Sequence, residues 1–197
     1  HRALSHRPFI RENHMKFTYS IPTKILFGPG SFNDLATTPL PGKKALVVIT
    51  AGKSMRANGY LDRLIDMLDK QGIGHALFDK ILPNPVLRHV HEGAALAREQ
   101  GCDFVIGLGG GSSIDSAKSI AVMAKNPGDY WDYISGGSGK GQPLVNGALP
   151  IVAIATTGGT GTEADPWTVI TKEDTNEKIG FGCAETFPVL SVVDPEM

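Results

Sequence analysis

Hydrophobic and polar positions divide the chain into short apolar runs and longer amphipathic stretches. Alternation over residues 18–21, and again over Lys24–Phe27, predicts one or two β segments closed by the turn Gly28-Pro29-Gly30. Residues 45–49, residues 104–108 and Ile151–Ala155 are continuous apolar runs. That is the pattern of strands buried on both faces of a parallel sheet. Residues 75–78, 168–171 and 189–193 predict three further strands. Leu61, Leu64, Ile65 and Leu68 form an amphipathic helical stripe that Gly72 and Gly74 end. After the rigid turn Pro83-Asn84-Pro85, residues Val86, Val90, Ala94 and Ala97 share one helical face, with Gly101 as the stop. Residues 114–124 predict a third helix, and residues 135–149 have loop composition. Short buried strands alternating with helices indicate an α/β fold: a Rossmann-like, doubly wound, mostly parallel sheet with helices on both faces.

Charge narrows the function classes. With 19 basic and 20 acidic residues in 197, nothing sums to the field that nucleic acid or an anionic membrane requires. No apolar run approaches the ~20 residues of a membrane-spanning helix. Cys102 and Cys183 are too few for a disulfide scaffold, which suggests reduced thiols and a cytoplasmic location. Residues 1–14 hold three Arg and three His but no apolar centre, so they read as a leader or a cloning-derived extension. Residues 15–197 then form one domain. Glycine is the unusual quantity: 24 residues, about 12%, against an ordinary ~7%. Thirteen of the 24 fall within residues 107–161.

The strongest local signal is Gly107-Leu108-Gly109-Gly110-Gly111-Ser112-Ser113, which leaves a buried strand and enters a helix. Consecutive glycines let backbone approach a ligand with no Cβ in the way. The helix amino end offers free N–H groups and a positive dipole, both suited to phosphate. Ser112 or Ser113 can cap that helix, and Asp115 can either favour its dipole or reach into the cleft. The spacing departs from G-x-G-x-x-G, because the last position falls on Ser112 or Ile114. Gly52-Lys53-Ser54 imitates the end of a phosphate-binding P-loop, but the pattern needs Gly where Val47 stands. The segment still lies at a strand's carboxyl end and carries a hydroxyl and a cation with no acid. An acid there would repel a 2′-phosphate, so Gly52, Lys53 and Ser54 leave room for NADP. A second cluster, residues 156–163, follows another strand and supplies four threonines and three glycines.

These two loops, with Pro83-Asn84-Pro85, Asp115, Lys118 and Asp194-Pro195, resemble the iron-containing, or group III, alcohol dehydrogenase family over nearly all of residues 15–197. The Ala51–Ser54 variant with Asn58-Gly59 resembles the butanol-dehydrogenase-like branch, which often uses NADPH. The resemblance implies an NAD(P)-dependent oxidoreductase acting on a small alcohol or aldehyde, as a homodimer or larger assembly. It implies that Asn84 lies near the adenosine ribose, that Gly111 and Ser112 hold the pyrophosphate, and that Gly110 beside them also binds the cofactor. Thr156, Thr157 and Thr160 then line the adenine and phosphate side, Lys178 contacts a ribose, and Asp115 lies near the nicotinamide end. Asp165-Pro166-Trp167 and Ala184-Glu185 depart from the family pattern, leaving contacts there open.

The family's second, helical domain supplies one Asp and three His to Fe²⁺ or Zn²⁺. Those motifs follow the Asp-Pro turn, so the expectation is a nucleotide-binding domain without the metal ligands or catalytic residues, weak or inactive alone. Asp194 belongs to the turn and is not the metal aspartate. His89 and His91, two apart on a helix, point about 200° apart, unlike paired helical ligands. Two rival readings remain. One is a glycerol dehydrogenase, maleylacetate reductase or dehydroquinate synthase relative. The other is a stand-alone nucleotide-binding module without catalysis.

Overall fold

The computed structural model describes residues 18–197; residues 1–17, and with them the proposed leader, lie outside the described part. Among the described residues eight strands are present: β1 (Lys24–Phe27), β2 (Lys44–Thr50), β3 (Gly74–Ile81), β4 (Phe104–Gly109), β5 (Ile151–Ala155), β6 (Thr168–Lys172), β7 (Glu177–Phe181) and β8 (Leu190–Val193). The α-helices are α1 (Ser54–Ala57), α2 (Tyr60–Lys70), α3 (Leu87–Glu99) and α4 (Gly111–Lys125). Six strands form one parallel sheet in the order β1-β8-β5-β4-β2-β3.

Side-chain alternation along the central strands builds two cores. Ala45, Val47, Ile49, Phe104, Ile106 and Leu108 face Leu61, Leu64 and Leu68 of α2 and Phe32 of the 3-10 helix Ser31–Ala36. Leu46, Val48 and Val105 face Val90, Ala94 and Ala97 of α3 and Ala117, Ile120 and Ala121 of α4. Helices therefore cover both faces, which is why the strands read as unbroken apolar runs. Asp194, after β8, accepts from the N–H groups of Gly30 (3.1 Å) and Phe32 (3.0 Å), tying the turn after β1 to the segment after β8.

Of the one or two β segments expected over residues 18–27, one forms: Lys24–Phe27, paired with β8. Two expectations need correction. β6 is not in the main sheet. It pairs antiparallel with β7, a strand not foreseen, in a separate hairpin, with Thr171 N–H bonding Pro85 O at 2.9 Å. Its Thr and Val content suits any half-buried strand and does not say which sheet it joins. The third helix starts at Gly111, not near 114. Gly109 turns the chain with φ +138°, a conformation that favours glycine, so the helix begins early.

From β2 the chain crosses to β3 on one side and later to β4 on the other. The strand order therefore reverses between β2 and β4. In open α/β sheets, ligands bind outside the carboxyl ends of the strands at such a switch point.

Candidate functional site

The carboxyl ends of β2, β4 and β5 lie side by side, and they carry three of the predicted clusters. β2 runs into Gly52, Lys53 and Ser54, all exposed, with Ser54 opening the single turn of α1. A Cβ built on Gly109 would stand 3.9 Å from Met55 Sδ, so α1 abuts the glycine turn. β4 ends at Gly109, and β5 leads into Thr156, whose N–H bonds Gly109 O at 3.0 Å.

The two glycine–threonine loops touch. A Cβ on Gly110 would meet Thr157 Oγ1 at 3.1 Å, and one on Gly111 would meet Thr160 Cγ2 at 3.1 Å. These glycines therefore admit the neighbouring threonines as well as any ligand. Gly158, Gly159 and Gly161 face open space, with nothing within 4 Å of a built Cβ.

The start of α4 is uncapped. Gly110 occupies the cap position, and neither Ser112 nor Ser113 caps, contrary to expectation. Both lie inside the first turn because the helix starts at Gly111, and Ser113 Oγ is buried without a partner. Among the described residues the N–H groups of Gly110, Gly111 and Ser112 donate to nothing. Uncapped N–H groups at the amino end of a fifteen-residue helix suit a phosphate group.

Asp115 does not stand in the first turn to support the dipole. It lies beyond that turn, and both carboxylate oxygens are bonded within the fold. Oδ1 accepts from Thr162 Oγ1 (2.7 Å) and Oδ2 from Val169 N–H (3.0 Å). Burial pushes its carboxyl above the ordinary range, while the Thr162 and Val169 bonds pull the other way. Beside it stands Lys118, fully buried, whose ammonium reaches Thr162, Asp165 and Trp167. The family resemblance marked Asp115 and Lys118 by spacing; their engagement with residues 162–169 was not foreseen. The one signal was their separation of three, which sets two side chains on one helix face.

Asn84 and Lys178, both expected near a ribose, are 94 positions apart, yet Lys178 Nζ donates to Asn84 Oδ1 at 2.8 Å. Asn84 holds φ +60° in the turn after β3. The histidines go separate ways. His89 is buried with Nε2 3.0 Å from Arg88 Nη1, and burial pushes its pKa down. His91 faces Asp129 at 3.5 Å. Among the described residues no three of His, Cys, Asp or Glu gather where they could hold a metal, and no helix is long and apolar enough to cross a membrane.

Residues 22–195 match the family model described as iron-containing alcohol dehydrogenase. The probable NADH-dependent butanol dehydrogenase 1 of Bacillus subtilis is 38% identical over 179 residues, covering 91% of this chain and 45% of that protein. The crystal structure of NADH-dependent butanol dehydrogenase A from Thermotoga maritima superposes with a TM-score of 0.83 at 36% identity, over 91% of this chain and 44% of that one. Sulfoacetaldehyde reductase from Bifidobacterium kashiwanohense, solved with NAD+, gives a TM-score of 0.78 at 30% identity over 92% and 47%. The chain thus spans about half the length of the relatives it matches.

Proposed function

The chain belongs to the iron-containing alcohol dehydrogenase family, and from that premise we propose that it binds the nicotinamide dinucleotide of an enzyme moving hydride between NAD(P)H and a small alcohol or aldehyde. The observation that carries this reading is the contact between two glycine–threonine loops at the ends of β4 and β5, beside the switch point and next to an uncapped helix start.

In this reading the N–H groups of Gly110, Gly111 and Ser112 take the pyrophosphate. Thr156, Thr157 and Thr160 offer hydroxyls along its side, and the Asn84–Lys178 pair presents a cation to a ribose. Gly52, Lys53 and Ser54 put a positive charge and a hydroxyl, with no carboxylate, at the end of β2. That combination favours NADP at least as much as NAD. The names of the Bacillus and Thermotoga relatives specify NADH, and the Bifidobacterium reductase was solved with NAD+, so the preference for NADP rests on Lys53 and Ser54.

The bound nicotinamide supplies or accepts the hydride, while the protein contributes binding and orientation. The described residues do not fit a metal centre. Iron or zinc therefore enters no step attributed to them.

Titration with NADPH and NADH, followed by protein fluorescence, tests the proposal. Saturable binding of both, with NADPH at least as tight as NADH, is expected. Binding of neither would overturn it, and NADH tighter by more than about tenfold (~1.4 kcal/mol) would remove the role given to Lys53.

A further inference from the structure

The buried ammonium of Lys118 serves no dinucleotide contact proposed above. Its side chain is fully excluded from solvent, and it sits in the interior of α4. Nζ lies 2.8 Å from Thr162 Oγ1, 2.8 Å from Asp165 O, 2.8 Å from Trp167 O and 3.1 Å from Asp165 Oδ1. Two of these acceptors are main-chain carbonyls in the irregular segment between the 156–163 loop and β6. The ammonium therefore dictates how those peptides are oriented. Asp115, one turn earlier on α4, completes the clamp through Thr162 Oγ1 and Val169 N–H. Thr162 joins the two, accepting from Lys118 and donating to Asp115. Residues 162–169 are thus pinned to successive turns of one helix.

Stability alone is a poor reason for this arrangement. Burying an ammonium costs several kcal/mol of desolvation, and well-packed apolar side chains often replace buried ion pairs without loss. Asp165 keeps about a third of its side chain exposed (37%), so it needs no buried cation. What the ammonium does supply is a fixed distance. Thr160, two residues before Thr162, is the residue that meets Gly111 at the helix start. The charged groups facing this hub are Asp115, Asp165 and Glu163.

We propose that Lys118 is a positioning residue: its buried ammonium, working through Thr162, Asp165 and Trp167, holds the 156–163 loop in register over the amino end of α4. The loop's ligand is taken to be the dinucleotide of the preceding section, so the proposal rests on that reading for its use but not for its geometry.

Amide hydrogen exchange on the ligand-free chain, wild type against Lys118→Met, separates the two. Exchange within residues 156–167 is expected to rise about tenfold or more, while amides of β4 and β5 stay within about twofold. The dissociation constant for NADPH is expected to rise about tenfold or more. Unchanged exchange in the loop would overturn the proposal. A rise shared equally by the sheet would also overturn it, since a merely structural lysine loosens everything. Loop exchange that rises in a chain whose wild type binds no dinucleotide would uphold the clamp and sink the dinucleotide reading. If Lys118→Met fails to fold, Thr162→Val carries the test. It keeps the volume and removes the bridging hydroxyl, and unchanged loop exchange in it would refute the clamp.

Discussion

Gly107→Ala places one methyl group where the packing of β4 against α4 leaves no room. A Cβ at Gly107 would stand 2.9 Å from Ile114 Cα, 3.0 Å from Ala117 Cβ and 3.3 Å from Ser113 O, all inside the ordinary contact range that begins at 3.4 Å. Two of the three are backbone atoms, so no rotamer change relieves the contact. The helix would have to retreat by about 0.5 Å, and its far side is pinned. Lys118 is held by residues 162–167, and Ser119 bonds both Tyr130 and Thr168. Overpacking of this kind costs about 1–3 kcal/mol. For a chain of this size that is a loss of about 2–12 °C in Tm. Thermal unfolding followed by circular dichroism measures it. Gly158→Ala is the control, because nothing lies within 4 Å of its Cβ. It should change stability by no more than about 0.5 kcal/mol. A Gly107→Ala melting point within about 1 °C of wild type would refute the account of helix–strand packing.

Other outcomes follow from particular contacts. Gly111→Ala should weaken NADPH binding, and Thr160→Ser in the same chain should restore part of it, since Thr160 Cγ2 is the atom in the way; equal affinities for the single and double variants would remove that coupling. Lys53→Ala should lower NADPH affinity by about tenfold and leave NADH within about twofold, measured by fluorescence titration. Hydrogen bonds from Ser138 and Thr175 hold the Glu177 carboxyl at about 2, against an ordinary 4.5. Its folded pKa lies below the unfolded one, so its stabilising effect is complete above the unfolded value and is lost as pH falls toward 2. Urea midpoints for wild type and Glu177→Gln should therefore differ by a constant amount near neutral pH and converge between about pH 4.5 and 2. A constant gap down to pH 2 would contradict this.

The parallel core was legible because burial on both faces leaves an unambiguous trace. The apolar run Ile151–Ala155 coincides with β5, and the stripe Leu61, Leu64, Leu68 lies on the buried face of α2. The hairpin was not legible. Glu177–Phe181 alternates exposed and half-buried positions with no apolar run, and nothing local tells a hairpin strand from a sheet strand. The place of Asp115 beyond the first turn of α4 was not legible for a geometric reason. Each residue of error in a helix start turns a side chain by about 100°, and the early turn at Gly109 moved the start by three residues. The Asn84–Lys178 contact joins two distant loops, so periodicity carries no trace of it; only the family resemblance placed both residues at one ligand.

The central claim is that the carboxyl ends of β2, β4 and β5 form one dinucleotide site. Its most direct test is residue-resolved amide exchange of the chain with and without saturating NADPH. Protection should appear at Gly110, Gly111 and Ser112, through residues 156–161 and at residues 52–54, and should be absent from the cavity lined by His91, Arg98 and Asn126 at the opposite end of α4. Protection confined to that cavity, or none at the strand ends, would contradict the account.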